Sequence, residues 1–112
     1  MSGDLGDLIA EMRKEYLDGF DEKYALLNKL YNDKDQKGLE NEFHKLKGTG
    51  TTYGAPEISQ LCGHLEKLCA AGFPNPTQHA LALELLEKIR GKYLRNESFD
   101  LESASQFKEL LS

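Results

Sequence analysis

Apolar residues recur along the chain every three or four positions, in blocks that glycine, proline, asparagine and aspartate separate. This spacing is typical of amphipathic helices, because residues three and four apart share one helix face. Alternating strand patterns are almost absent, and the sequence contains no valine. The pattern predicts an all-α fold whose helical blocks cover about residues 5–18, 21–32, 36–53, 56–72 and 76–94.

Each block has an apolar face that predicts its buried side. Asp35 and Asn75 are the expected caps of the third and fifth blocks, Pro56 and Pro76 suit first helical turns, and Gly54 would close the third block. Helices joined by such short loops predict an antiparallel bundle. The residues assigned to the core are Leu8, Ile9, Met12, Tyr16, Leu17, Tyr24, Leu27, Leu30, Tyr31, Leu39, Phe43, Leu46, Ile58, Leu61, Cys62, Leu65, Leu68, Cys69, Ala80, Leu83, Leu86, Ile89, Tyr93 and Leu94.

The segment 96–112 has a weaker pattern. Asp100 is a candidate cap for a short helix there, which would either pack on the bundle or extend away from it. The apolar positions of this helix would be Leu101, Ala104, Phe107 and Leu111. We expect a single domain over residues 1–112, with a core of about 5–95 and a C-terminal extension.

Composition and charge narrow the classes of function. The chain has 112 residues and a net charge of −5 with no concentrated basic run, which argues against nucleic acid as the main partner. No apolar stretch approaches the roughly 20 residues of a membrane-spanning helix. Residues 1–7 lack the basic start and apolar middle of a signal peptide. Cys62 and Cys69 would lie about 10 Å apart along one helix, too far for a disulfide, so we expect reduced thiols in a cytoplasmic protein.

The third block contains the clearest conflict between local preference and global pattern. Its apolar stripe requires a helix, yet it holds Gly48 and Gly50, each costing about 0.5–1 kcal/mol relative to alanine, together with three threonines. Such conflicts tend to mark functional sites. On a helical wheel His44 points away from the stripe, Gly48 lies one turn on, Lys47 lies to one side, and Thr51 lies two turns on.

This layout suits the transfer of a phosphoryl group. Imidazole is a nucleophile near neutral pH, and phosphoryl transfer asks a protein mainly for positioning and for neutralisation of charge on the oxygens. His44 would supply the nucleophile, Lys47 the positive charge, and Gly48 a surface that a partner can approach closely. Three plainer explanations stay open at this point: a merely solvated His44, glycines that serve helix packing, and an ordinary surface lysine.

The run from His44 to Gly54, HKLKGTGTTYG, resembles the signature of histidine-containing phosphotransfer (HPt) domains. That signature has an apolar residue two positions after the histidine, lysine three, glycine four and glycine ten positions after it, and all four match. Residues 58–66, ISQLCGHLE, resemble the next helix of the family. The resemblance covers about residues 5–95 and implies an antiparallel four-helix bundle with an additional N-terminal helix.

The resemblance also implies roles for individual residues. His44 would be the phosphorylated residue, Lys47 would interact with the phosphoryl group, and Glu66 would hydrogen-bond the other imidazole nitrogen. Gly54 would also end the active-site helix. The positions expected to face a partner are Gly48, Thr51 and Gly54.

The implied function is that of a phosphorelay intermediate in two-component signalling, a monomeric phosphoryl carrier without kinase activity. His44 would take the group from a receiver-domain aspartate or a histidine kinase and pass it to another receiver aspartate. The partners would be response-regulator receiver domains, a hybrid histidine kinase, or both. No cofactor is expected on this chain, because Mg²⁺ would be held by the receiver. The direction of phosphoryl flow stays open.

Two other functions remain as alternatives. The first is a docking module that binds receiver domains without being phosphorylated. The second is a metal-binding bundle, although the chain lacks the Glu-x-x-His pairs of di-iron bundles and any Cys-x-x-Cys pair. Its ligands would come from His44, His64, His79, Cys62 and Cys69. In the phosphorelay interpretation His64 and His79 are ordinary surface histidines.

Overall fold

The computed structural model describes residues 5–112, which form six α-helices and no strand. The predicted all-α bundle is therefore confirmed. The part of the signal-peptide argument that concerns residues 1–4 lies outside the described range. Within that range no helix combines the length and apolar character needed to cross a membrane. The helices are α1 (Leu5–Asp18), α2 (Phe20–Asn32), α3 (Gln36–Gly50), α4 (Pro56–Ala71), α5 (Pro76–Leu94) and α6 (Ser105–Leu111).

The predicted caps lie at the starts of α3 and α5, and the predicted first-turn prolines lie at the starts of α4 and α5. The Asp35 carboxylate accepts a hydrogen bond from the Gly38 N–H at 2.8 Å. Asn75 and Gln78 form a reciprocal capping box, in which each side chain accepts from the other's backbone N–H. Pro56 and Pro76 lie at the helix starts, where the missing N–H costs nothing.

The core is one continuous cluster that all the helices share. The buried face of α4 follows the predicted stripe closely, and both of its cysteines are buried and free. Burial raises the pKa of both thiols, that of Cys69 to about 11, so they stay protonated at neutral pH. The buried core residues are Leu17, Phe20, Leu27, Leu39, Phe43, Leu46, Ala55, Ile58, Leu61, Cys62, Leu65, Cys69, Leu81, Ala82, Leu85, Leu86, Ile89, Leu101, Phe107 and Leu110.

The predicted core face of α5 is confirmed at Leu86 and Ile89 and is wrong at Ala80 and Leu94. Ala80 and Leu94 are exposed and Leu83 is half-buried, whereas Leu81, Ala82 and Leu85 join Leu86 and Ile89 in the core. The sequence from residue 80 to 86, ALALELL, is apolar at six of its seven positions. Several helical faces fit such a run equally well, so packing against the other helices selects the phase.

The predicted burial of the first half of α1 is also wrong. Leu8, Ile9 and Met12 are 50%, 42% and 39% exposed, although Leu17 near the end of the helix is fully buried. The second half of α1 packs on the bundle, and there the Arg13 guanidinium donates a hydrogen bond to the Gly54 carbonyl at 3.3 Å. An apolar stripe is buried only where another element covers it, and none of the described helices covers this half.

The C-terminal segment packs on the bundle. Leu101 and Phe107 are 2% and 4% exposed, and the Phe107 ring meets the edge of His64 at 5.2 Å between centroids. The predicted cap is wrong, because α6 begins at Ser105 after a turn and Asp100 does not cap it. Leu110, three residues after the buried Phe107, is buried in place of Leu111.

His64 and His79 are half-buried, so the expectation of plain surface histidines is wrong for both. His64 packs against α6 as described above. The His79 ring stacks on Tyr31 at 4.0 Å, and its Nε2 lies 2.8 Å from the Asn28 Oδ1 atom. Burial lowers the pKa of His79. These contacts join the start of α5 to the end of α2.

Replacing Phe107 by alanine should lower the free energy of unfolding by about 3 kcal/mol, because it removes a buried aromatic ring from the core. The matched control is Leu111→Ala on the same helix, since Leu111 is 54% exposed. That variant should change stability by no more than about 0.5 kcal/mol. Urea denaturation of both proteins measures the difference, and equal stabilities would show that α6 does not contribute to the core.

The lowered pKa of His79 makes stability depend on pH. The folded state binds this proton less well than the unfolded chain, whose histidines titrate near about pH 6.5. The contribution of neutral His79 to the free energy of unfolding is therefore complete above about pH 6.5. It is lost as the pH falls from there towards the lower pKa of the folded state. We expect unfolding free energy to fall more steeply with acidification in the wild type than in His79→Gln. Denaturation curves at a series of pH values test this, and parallel slopes would contradict it.

Candidate functional site

His44 lies on the outward face of α3. Its side chain is 68% exposed, while Phe43 and Leu46 on the same helix point into the core. The apolar stripe thus fixes the rotation of α3, and this rotation turns His44 towards solvent. The Nδ1 atom of the ring lies 2.8 Å from Oε2 of Glu66 on α4. The predicted contact between these two residues is present in the structure.

Glu66 determines which imidazole nitrogen is free. Burial opposes ionisation of its carboxyl group, but the hydrogen bond and charge of His44 and the charge of Lys47 outweigh it and lower the pKa of Glu66. An ionised carboxylate can only accept hydrogen bonds, so Nδ1 of His44 carries the proton and donates it. Within residues 5–112 the hydrogen bonds of His44 involve Nδ1 alone, so in the neutral ring Nε2 is the nitrogen that keeps its lone pair.

Lys47 brings a positive charge next to this pair. Its Nζ atom lies 3.5 Å from Oε1 of Glu66, so the two carboxylate oxygens hold the lysine and the histidine separately. The lysine side chain is about half exposed. Its aliphatic part runs past Gly63 of α4, where an added Cβ would lie 3.7 Å from the Lys47 Cδ atom.

The two interior glycines of α3 have different surroundings. A Cβ added at Gly48 would meet no heavy atom within 4 Å, and the residue is exposed. Packing inside the domain therefore does not require a glycine there. A Cβ added at Gly50 would lie 2.6 Å from both the backbone nitrogen and Oγ of Ser59 on α4. Gly50 serves the approach of α3 and α4, whereas Gly48 leaves bare surface one turn from His44.

A family model described as the Hpt domain matches residues 11–109. The chain belongs to the Hpt domain family. Members of this family take part in two-component phosphorelays as phosphoryl carriers that are not kinases, and they interact with response regulators or kinases. No curated protein and no solved structure matches the chain significantly. The matched range includes most of α6, which the signature-based resemblance over about residues 5–95 did not reach.

Helix α3 of this Hpt domain is shorter than its sequence predicts. α3 ends at Gly50 instead of Tyr53, and turns carry the chain to Gly54, whose φ of +79° favours glycine. Thr51 is exposed, and its backbone N–H donates to Ser59 Oγ at 2.7 Å. The Gly54 carbonyl accepts from Arg13, so Gly54 packs against α1 rather than ending the helix.

Two residues near the Hpt site were not singled out by the signature. Ser59 and Gly63 lie on the face of α4 that meets α3, at spacings of seven and three residues before Glu66. Residues so spaced share one helix face. The sequence signal that could have identified this face is the pair of small residues Ser59 and Gly63, which lie at helical spacing before Glu66.

The structure does not assemble the ligands of the metal-binding alternative. In the described part of the chain, no three His, Cys, Asp or Glu side chains are grouped so as to hold a metal ion. His44 pairs with Glu66, His64 packs on Phe107 and His79 stacks on Tyr31, each in a different part of the bundle.

Proposed function

We propose that this Hpt domain is a phosphorelay intermediate in which Nε2 of His44 accepts and donates a phosphoryl group. The donor would be a receiver-domain aspartyl phosphate or a histidine kinase, and the acceptor another receiver aspartate. One observation carries the proposal: the 2.8 Å contact from Nδ1 to Glu66, which leaves Nε2 of the neutral ring unprotonated on a side chain that is 68% exposed. A merely solvated histidine would not need a carboxylate on the neighbouring helix.

The transfer step follows from this tautomer. The Nε2 lone pair attacks the phosphorus of the aspartyl phosphate, a P–N bond forms, and the P–O bond to the aspartate breaks. The carboxylate leaves with the electron pair of that bond. No proton needs to depart, because Nδ1 keeps its hydrogen and the ring becomes positively charged. The Glu66 carboxylate at 2.8 Å stabilises that charge as it develops. The same steps in reverse deliver the group to the next receiver.

Lys47 would compensate the charge of the phosphoryl oxygens. Exposed ion pairs are weak, so its 3.5 Å contact with Glu66 can exchange for a dianionic phosphoryl group at little cost. Any Mg²⁺ would be held by the receiver. His44, Lys47 and Glu66 thus have separate tasks, as nucleophile, oxygen partner and ring partner.

The partner's active site would cover the surface next to His44. Gly48 and Thr51 lie one and two turns further along the same side of the chain, and both are exposed. With no side chain at Gly48, a receiver can bring its aspartate within transfer distance of Nε2. Gly54 contacts α1, so any part it has in partner binding would be indirect, through the position of that helix.

The exposed apolar face of α1 would extend the partner contact. Met12 lines a shallow depression together with Tyr16 and Tyr53, and the Tyr16 hydroxyl lies 2.8 Å from Thr49 Oγ1 on the helix of His44. Exposed apolar groups of this kind mark protein contacts. Their small number suits the limited interface of a transient encounter. The other apolar side chains of this face are Leu5, Leu8 and Ile9.

His44→Gln should abolish phosphoryl acceptance without loss of fold, because the side chain is exposed and its core-facing neighbours are unchanged. Mass spectrometry at neutral to alkaline pH, after incubation with a phosphorylated receiver, measures the added phosphate. His64→Gln is the matched control and should be labelled like the wild type. Labelling of the His44 variant would refute the assignment. A wild type that binds receivers but is never labelled would favour the docking module instead.

Gly48→Leu should separate partner access from chemical reactivity. Because space around Gly48 is open, leucine should stabilise the helix by about 0.5–1 kcal/mol. Transfer from a phosphorylated receiver should nevertheless fall by about tenfold or more, as for the loss of about 1.4 kcal/mol of contact energy. Reaction with phosphoramidate, a small donor that phosphorylates imidazole and releases ammonia, should be unchanged. Equal loss with both donors would contradict the access argument.

A further inference from the structure

We propose that Ser59 is a positioning residue for the His44 nucleophile, acting through the register of α3 against α4. The inference rests on the proposed function, because it concerns the reactivity of Nε2. Ser59 is two helical turns from Glu66 and touches neither His44 nor Lys47 through any hydrogen bond of the described residues. Its contact is with the end of α3, where its hydroxyl accepts from the Thr51 N–H at 2.7 Å.

Three cross-helix contacts share one antiparallel register. Thr51 meets Ser59, Lys47 passes Gly63, and His44 meets Glu66. Moving seven residues back along α3, from Thr51 to His44, corresponds to moving seven residues forward along α4, from Ser59 to Glu66. Because both helices are rigid, a displacement at the Thr51–Ser59 contact would also displace His44 relative to Glu66.

The Ser59 end of this series is the tightly packed one. At Gly50 the space for a Cβ is already taken by the Ser59 backbone nitrogen and Oγ, both at 2.6 Å, and by the Ala55 carbonyl oxygen at 3.0 Å. At the other end, the contact between His44 and Glu66 is made by side chains alone, which are 68% and 21% exposed. Contacts that involve the backbone can shift less than contacts between long side chains. The Gly50–Ser59 contact therefore sets the register of the two helices, and the distance between His44 and Glu66 depends on that register.

A small change in register would change the chemistry of His44. The Nδ1–Oε2 distance of 2.8 Å loses its hydrogen bond if it grows by about 1 Å. Without that acceptor the ring can carry its proton on Nε2, and a protonated Nε2 has no lone pair with which to attack phosphorus. Ser59 would thus control the fraction of His44 that is a competent nucleophile.

The test measures the His44 tautomer directly. Nitrogen-15 NMR of the full chain above about pH 8, where free imidazole is neutral, distinguishes the Nδ1–H form from the Nε2–H form. The wild type should show Nδ1–H. Ser59→Ala should shift His44 towards Nε2–H and slow its phosphorylation by phosphoramidate roughly fivefold, as expected when one hydrogen bond is lost. Gly50→Ala should act in the same direction, because its Cβ forces the helices apart.

Matched variants separate positioning from stability. Ser59→Thr keeps the hydroxyl group and should retain both the tautomer and the rate. Ser98→Ala, in an exposed loop, and Gly91→Ala, on α5, control for loss of a hydroxyl and gain of a methyl group. Should Gly50→Ala fail to fold, Ser59→Ala still decides the question, because it adds no atoms.

An unchanged tautomer in Ser59→Ala would overturn the proposal, even if phosphorylation slowed, because the residue would then be merely structural. A wild type without the Nδ1–H form would overturn it as well. Failure of the proposed function looks different: His44 would show the expected tautomer and its shift in Ser59→Ala, yet no receiver or kinase would exchange phosphoryl groups with the protein.

Discussion

The contact between α3 and α4 at Gly50 is the constraint on which the arrangement of the site depends. With a Cβ position only 2.6 Å from the backbone of Ser59, the two helices are as close as main chains permit. This closeness allows a side chain as short as glutamate to reach from α4 to the imidazole on α3.

The same constraint explains why glycine, a poor helix former, occupies position 50 of α3. Gly48 and Gly50 both weaken α3, but their surroundings differ. Gly50 permits the close contact with α4 inside the domain, whereas Gly48 leaves the surface next to His44 bare. The loss is offset by burial of Leu39, Phe43 and Leu46 on the opposite face. Tertiary packing therefore stabilises the helix that local propensity disfavours, and the outward face of α3 does not contribute to the core.

The sequence predicted best those features that a few neighbouring residues determine. Asp35 and Asn75 cap their helices because a cap needs only its own first turn, and the stripe of α4 is buried because polar residues bound it on both sides. Long-range packing decided the rest. Which helix lies opposite decides the phase of α5, the exposure of Met12 and the burial of Leu110. The periodicity of one segment does not indicate which other segment will pack against it.

The candidate site divides in the same way. The signature located His44 and Lys47 because they lie within one turn of each other, and the pairing with Glu66 came from resemblance instead of spacing. What the sequence could not supply was the register that brings residues 22 positions apart to 2.8 Å. In this register a single carboxylate contacts both neighbours: one oxygen of Glu66 lies near His44 and the other lies near Lys47. If the partner supplies the metal and the leaving group, as in the proposed mechanism, the main task left to this chain is to orient its histidine.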